Sequence, residues 1–182
     1  AAEGASAPAR DAKEIRIGQS VHLSGPLGAF MIPVVKGQNL AIDEINRKGG
    51  IHGRPVRVIT LDDAYDAKKC VENIHTLIDK EKVVALYGLG STPNVLATLP
   101  ILSEKKVPLV GVYSGSPALR VKQHPYFFTT MASYRDEVVQ MVRNLVTLQK
   151  TQIGLIYQNA PFGQLMKPVV EEVAKELGAT LV

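Results

Sequence analysis

Short apolar runs alternate with longer helical patterns along the chain, and this alternation restricts the fold more than any other feature. The predicted strands are Ile15–Leu23, Pro55–Leu61, Val83–Tyr87, Pro108–Val112 and Gln152–Tyr157. The predicted helices begin near Pro33, Asp66, Pro93, Ser133 and Phe162. Regular alternation of strands and helices predicts a parallel sheet covered by helices on both faces. We therefore expect an α/β fold with a doubly wound parallel sheet.

The composition is that of a folded chain, and it excludes several functional classes. Hydrophobic residues make up 46% of the 182 residues, so a core can form without a disulfide or a metal. The net charge is only +4, and basic residues are interspersed with acidic ones, so we expect no nucleic-acid partner. Cys70 is the single cysteine of the sequence, which rules out an intrachain disulfide.

Glycines and hydroxyl residues follow three of the predicted strands. These segments are Ser24–Phe30, Gly88–Pro93 and Tyr113–Pro117. In parallel sheets, ligands bind beyond the carboxyl ends of strands, where helix N-termini present N–H groups. Glycine lets the backbone approach a ligand, and hydroxyls donate or accept hydrogen bonds. A single segment of this kind usually does no more than cap a helix. With three of them at the same edge of the sheet, a binding site is about as expected as a purely structural role.

Motifs of the common doubly wound enzymes are absent from these segments. Gly88-Leu89-Gly90 follows the third strand rather than the first, and it lacks the last glycine of a dinucleotide motif. The Gly-Lys-Ser/Thr of a phosphate loop is missing, and Gly111–Gly115 departs by one residue from the spacing of a hydrolase nucleophile elbow. The four histidines show no metal-ligand spacing. We expect no enzymatic activity, no cofactor and no metal.

Other reactive side chains have structural interpretations. Asp62 and Asp63 follow the second strand, whereas the acidic pair of a receiver domain follows the first, so we expect a turn before a helix capped by Asp66. Cys70 lies beside the apolar stripe of that helix and is expected to be an inert core thiol. His22 differs from the other histidines only because it adjoins the first of the three loops.

A series of short motifs runs across nearly the whole chain. They are Ser24-Gly25-Pro26, Ile45-Asn46, Gly49-Gly50-Ile51, Gly53-Arg54-Pro55, Asp62-Asp63-Ala64, Gly88 through Ser91, and Val107-Pro108. Each is weak alone, but in this order they resemble the type I periplasmic substrate-binding proteins, in the branch that binds leucine, isoleucine or valine for ABC importers. The resemblance implies two α/β lobes that close on a small molecule and do no chemistry on it.

The resemblance also implies roles for individual residues. Ser91 matches the position whose hydroxyl and N–H bind the ligand carboxylate, and the loop after the fourth strand adds contacts to the carboxylate and amine. Phe30 matches an aromatic wall in the first loop, and Phe162 matches an aromatic residue of the second lobe. Many members have tyrosine at both positions, so phenylalanine favours an apolar ligand side chain. The predicted ligand-binding residues are Phe30, Gly90, Ser91, Thr92, Tyr113, Ser114, Gly115, Ser116 and Phe162.

Family members are much longer than this chain, so the resemblance implies that both lobes are incomplete here. Residues 1–14 are expected to be a flexible N-terminal segment, 15–130 the first segment of lobe one, and 131–182 the beginning of lobe two. The first residues are typical of a mature N-terminus after signal-peptide removal, and equally of an arbitrary boundary. We expect the isolated chain to self-associate or to leave its last third poorly ordered.

The predicted function is that of an extracytoplasmic solute-binding protein of an ABC importer. It would be periplasmic, or lipid-anchored or extracellular in a single-membrane bacterium. Its partners would be a membrane permease and a small ligand, either an apolar or branched-chain amino acid or a related carboxylate. Two alternatives stay open: the ligand-sensing domain of a receptor or signalling system, and an enzyme of the doubly wound class.

Overall fold

The structure, a computed structural model, describes residues 13–25 and 27–182, and their contacts group them into two units. The first unit holds the described residues up to Tyr113 together with His124–Thr130, and the second holds Ser114–Gln123 and Met131–Val182. Most of the predicted flexible segment 1–14 lies outside the described residues, as does Pro26 of the Ser24-Gly25-Pro26 motif.

The first unit is built on a parallel sheet. Its strands are β1 (Ile15–Val21), β2 (Val56–Asp62), β3 (Ala85–Tyr87), β4 (Leu109–Val110) and β5 (Phe127–Phe128). In the described part of the chain they form a five-stranded sheet of order β2-β1-β3-β4-β5, with every neighbouring pair parallel. The predicted α/β class with a doubly wound parallel sheet is confirmed.

Helices cover both faces of this sheet. They are α1 (Gly28–Arg47), α2 (Ala67–His75), which continues as a π-helical turn over Thr76–Lys80, and α3 (Thr92–Lys105). Alternate residues of β1 point to opposite faces. Gln19 donates a hydrogen bond to Gln38 of α1 at 2.7 Å, whereas a Cβ at Gly18 would lie 3.1 Å from Leu77 in the π-helical turn.

The second unit contains two α-helices, two short strands and a 3-10 turn at Pro117–Leu119. The helices and strands are α4 (Tyr134–Thr147), β6 (Gln152–Ile153), α5 (Pro161–Glu176) and β7 (Thr180–Leu181), and β6 pairs with β7 in parallel. Its core consists of Val138, Val142, Val173, Ala174 and Ala179. Ser133 caps α4 by accepting a hydrogen bond from the amide of Arg135 at 3.2 Å, and Gly178 follows α5 with a φ of 75°.

The division between the units differs from the single boundary that the sequence suggested at residue 130. The segment Ser114–Gln123 groups with the residues that follow Thr130. The amide of Tyr134 donates to the carbonyl of Gly115 at 2.8 Å, and Arg120 donates to the carbonyl of Met131 at 2.6 Å. These long-range bonds tie the loop after β4 to the start of α4.

Several predicted boundaries are wrong. Helix α1 begins at Gly28 instead of Pro33, so Phe30 lies in the helix and not in the loop. A Cβ at Gly28 would lie 2.7 Å from the carbonyl oxygen of Leu23, so this helix start depends on a close backbone approach that periodicity does not reveal. The predicted strands Pro108–Val112 and Gln152–Tyr157 are shorter, because each pairs over only two residues.

Candidate functional site

The turn before α3 is an unusual helix start. Ser91 occupies the N-cap position with a φ of 71°, which a serine rarely adopts. Within the described residues its side chain makes no capping bond to α3, and its hydroxyl instead lies 3.4 Å from Oδ1 of Asn94, to which it donates. The positive end of the helix dipole is therefore not neutralised by the serine that would ordinarily cap it.

Two buried polar atoms beside this turn have no hydrogen-bond partner within residues 13–25 and 27–182. One is Nδ2 of Asn94, a fully buried residue in the first turn of α3, and the other is Nδ1 of His22, which is 3% exposed. A buried polar atom without a partner costs about 1–3 kcal/mol. Such atoms are uncommon in folded proteins and favour a place that a ligand or an ordered water completes.

Asp62 at the end of β2 fixes the first loop. Its carboxylate accepts hydrogen bonds from the amides of Leu23, Ser24 and Ala64 and from the Ser24 hydroxyl. Burial alone would raise the pKa of Asp62, but these hydrogen bonds outweigh it and lower the pKa to about 2. Asp66 caps α2, as predicted, by accepting from the amide of Lys69 at 2.7 Å. The acidic residues after β2 therefore organise backbone.

Two aromatic rings stand near the same turn in the first unit. Phe30 is 56% exposed and Tyr113 is 37% exposed, and their ring centroids are 5.7 Å apart at 62°. The amide of Tyr113 donates to the carbonyl of Leu89 at 2.8 Å, and Gly90 and Tyr113 form a parallel bridge. The structure thus brings Phe30, Tyr113 and the Gly90–Ser91 turn together at one edge of the sheet.

The loop after β4 places its serines in the second unit. Ser114 and Ser116 are each 1% exposed, and the amide of Ser116 donates to Oγ of Ser114 at 3.3 Å. A Cβ at Gly115 would lie 2.3 Å from the carbonyl oxygen of Ala132, so only glycine fits without a backbone shift. Arg120 donates to the carbonyl of Ser116 at 3.3 Å and holds the end of this loop.

Phe162, the aromatic residue expected from the second lobe, is the second residue of α5. Its ring meets Tyr134 edge-on, with centroids 6.0 Å apart and an interplanar angle of 81°. Tyr134 was not in the predicted set, because nothing in its local sequence distinguishes it from any other first residue of a helix. Asn94 was also missed, although its position three residues after Ser91 is a capping spacing that could have drawn attention to it.

The remaining reactive groups have structural roles or stay outside any cluster. Cys70 is fully buried, and burial raises the pKa of its thiol to about 11, which confirms the expected core thiol. The described residues contain no group of three or more His, Cys, Asp or Glu placed to hold a metal ion. In the same part of the chain, none of the helices is long and apolar enough to cross a membrane.

Comparison with known proteins was made by sequence and by structure. A family model described as periplasmic binding protein matches residues 14–182. Leu/Ile/Val-binding protein homolog 7 of Brucella abortus is 25% identical, and the alignment covers 100% of this chain and 47% of that protein. The chain therefore spans about half the length of the curated relatives that it matches.

Solved structures give the same result for the fold. A substrate-binding periplasmic protein from Ralstonia solanacearum superposes with a TM-score of 0.86 at 30% identity, over 92% of this chain and 48% of that one. A possible leucine/isoleucine/valine-binding protein from Rhodopirellula baltica superposes with a TM-score of 0.84 at 28% identity, over 96% of this chain and 47% of that one. Both similarities extend over nearly all of this chain and about half of each relative.

Proposed function

The chain belongs to the periplasmic binding protein family, and on that premise we propose that the complete protein is the extracytoplasmic solute-binding component of an ABC importer. Its ligand would be an apolar or branched-chain amino acid or a related small carboxylate. The turn before α3 is the observation that carries this proposal. Ser91 leaves the helix start uncapped there, next to polar atoms of Asn94 and His22 that lack partners among the described residues.

A carboxylate suits this turn on energetic grounds. Attraction to a helix N-terminus contributes about 0.3–1 kcal/mol when exposed and up to about 2 kcal/mol when partly buried. Hydrogen bonds to a charged group contribute about 1.5–3 kcal/mol each. Micromolar affinity requires about 8 kcal/mol, so several such contacts together with burial of an apolar side chain suffice.

The aromatic residues support an apolar group at the other end of the ligand. Phe30 and Tyr113 expose ring surface beside the turn, and covering such surface contributes about 25 cal/mol per Å². In the second unit, Phe162 and Tyr134 form another aromatic pair, and the loop that carries Ser114 and Ser116 supplies further polar groups. We propose that these residues also contact the ligand in the complete protein.

The proposal includes the setting in which the protein acts. A solute-binding protein works outside the cytoplasm, in the periplasm or, in a single-membrane bacterium, as a lipid-anchored or extracellular protein. It delivers its ligand to a membrane permease. Binding and release are its only tasks, and none of the residues named above needs to act as an acid, a base or a nucleophile.

Substitution of Ser91 tests the proposed site. In the complete protein, Ser91→Ala should weaken binding of L-leucine by about 1–3 kcal/mol, because a hydrogen bond to the carboxylate is lost. Calorimetric titration of L-leucine measures the change. Ser103→Ala is the matched control, since Ser103 is an exposed serine of the same helix whose hydroxyl pairs with His124 at 2.9 Å. Equal affinities of wild type and Ser91→Ala would remove Ser91 from the site.

A further inference from the structure

His22 is buried where three loops meet in the first unit. It directly follows β1, and it is 3% exposed. Its ring lies edge-to-face with Tyr65 in the loop after β2, with centroids 5.1 Å apart and an angle of 89°. Its Cε1–Nδ1 edge faces Gly90 in the turn after β3, where a Cβ would lie 2.9 Å from Cε1 and 3.2 Å from Nδ1. One imidazole therefore contacts the loops after β1, β2 and β3.

The backbone at Gly90 rests directly on this imidazole. Met31 of α1 lies at the same side of the glycine, where the same Cβ would be 2.4 Å from Cε of Met31, so the imidazole and this side chain together leave room for glycine alone. The next residue is Ser91, whose left-handed φ of 71° sets the direction in which α3 begins. A shift of Gly90 would therefore redirect both the Ser91 hydroxyl and the first amides of α3.

Protonation of His22 would disturb this arrangement. Nδ1 has no hydrogen-bond partner among the described residues. A neutral imidazole carries one N–H, but an imidazolium carries an N–H on both nitrogens, whichever tautomer was present before. The neutral ring avoids an unpaired N–H at Nδ1 by carrying its proton on Nε2, whereas the charged ring directs a buried N–H from Nδ1 towards Gly90, where the described residues provide no acceptor. A movement of the Gly90–Ser91 turn is the direct way to supply an acceptor or water.

The charged groups that act on His22 come from the end of β2. They are Asp63 and Asp62, and the nearby Tyr65 adds a phenol ring. Asp63 already accepts hydrogen bonds from the Ser20 hydroxyl and the Tyr65 amide, and α1 contributes the uncharged Met31. Burial outweighs the attraction of both carboxylates and lowers the pKa of His22 below its ordinary 6.5.

We infer that His22 is a positioning residue of the ligand site: as a neutral imidazole it holds the Gly90–Ser91 turn in the conformation that presents Ser91 and the start of α3 to an anionic group, and its protonation releases that turn. The part of this inference that concerns ligand affinity rests on the proposed function, whereas the coupling between His22 and the turn does not. Capture of a carboxylate would accordingly weaken in acid.

The coupling can be measured without any ligand. In the complete protein labelled for NMR, a pH titration should show His22 changing protonation below its ordinary value of 6.5. The amide signals of Gly90 and Ser91 should move with the same midpoint. The exposed His52, in the turn before β2, offers a matched control position for substitution. Amides of the turn that do not respond when His22 titrates would overturn the inference.

The consequence for binding is tested with L-leucine as the probe, between about pH 7.5 and about pH 5. The wild-type affinity should fall by up to about tenfold per pH unit once His22 becomes protonated. His22→Asn, whose amide oxygen can take the place of an unprotonated Nδ1 and which does not titrate, should lose this pH dependence, and His52→Asn should retain it. An unchanged pH profile in His22→Asn would overturn the inference. Failure of L-leucine to bind at any pH would overturn the proposed ligand, and the ligand-free titration then decides the inference alone.

Discussion

Individual polar residues at the edge of the first sheet differ in how their side chains are used. The carboxylate of Asp62 accepts hydrogen bonds from three amides and one hydroxyl of neighbouring loops. Ser91 stands at a helix start and yet does not cap it within the described residues. A strained backbone at a polar position is typical of functional sites, where the surrounding structure maintains it. Both residues lie at or just after the end of a strand, but only Asp62 uses its side chain to bind backbone amides.

At the residue scale, Asp62→Asn should reveal the stabilisation that the first loop draws from a charged carboxylate. The folded pKa of about 2 lies below the ordinary 3.8, so this stabilisation is fully present above about pH 4 and is lost as the pH falls from 3.8 to about 2. Thermal unfolding at a series of pH values should therefore show a lower melting temperature for the variant at neutral pH and a gap that closes in acid. The control is Asp43→Asn, at an exposed position of α1, which should leave the melting temperature unchanged at every pH. A difference in melting temperature between wild type and Asp62→Asn that is the same at every pH would contradict the argument.

Among the elements, short strands and helix starts depend on their neighbours, and long helices depend on their own sequence. Strand β5 contains two residues and exists only because it pairs with β4. The sequence predicted that helix α1 begins near Pro33. The helix begins five residues earlier, so this proline lies inside it. In contrast, the predicted starts of α4 and α5, near Ser133 and Phe162, lie within one residue of the observed starts.

Helices α4 and α5 allow a comparison between core burial and a surface ion pair. Arg135 donates to both carboxylate oxygens of Glu176 at 2.8 Å, but these side chains are 37% and 46% exposed. Arg135→Ala should lower the free energy of unfolding by less than about 1 kcal/mol. Val173→Ala, in the fully buried core, should lower it by about 2 kcal/mol. Hydrogen exchange of the amides in α4 and α5 measures both losses, and a larger loss for Arg135→Ala would contradict this ranking.

On the scale of the whole molecule, this chain contains two units and corresponds to about half of each relative. The predicted self-association of the isolated chain stays a prediction that light scattering can test. We expect exposed aromatic residues such as Phe30 to favour ligands with an apolar side chain.

A panel of ligands tests the expected preference for apolar side chains. If Phe30 contributes an apolar wall, branched aliphatic amino acids and aromatic acids should raise the melting temperature of the complete protein more than aspartate, glutamate or lysine do. Phe30→Ala should reduce this preference, whereas Leu40→Ala, at an exposed position of the same helix, should leave it unchanged. A thermal-shift assay measures each difference. The largest shift with a charged side chain would count against the apolar wall.

The periodicity of the chain was sufficient to predict the fold class, because the alternation of strands and helices is a local pattern of apolar residues. Local chemistry was also sufficient for Asp66 as a cap and for the burial of Cys70. The polar turn at Gly90 and Ser91 could be identified as a candidate site from its residue types and its place after a strand. Its role as a ligand site stays a prediction.

Contacts between loops could not be inferred in this way. His22, Tyr65 and Gly90 lie far apart in the sequence, and the sheet order β2-β1-β3 brings the loops that carry them side by side. The burial of Asn94, and of an Nδ1 of His22 that has no hydrogen-bond partner in the described part of the chain, follows from that packing. The order in which strands pair is set by tertiary contacts between strands that are distant in the sequence. A local pattern of residues therefore does not predict which loops these contacts bring together.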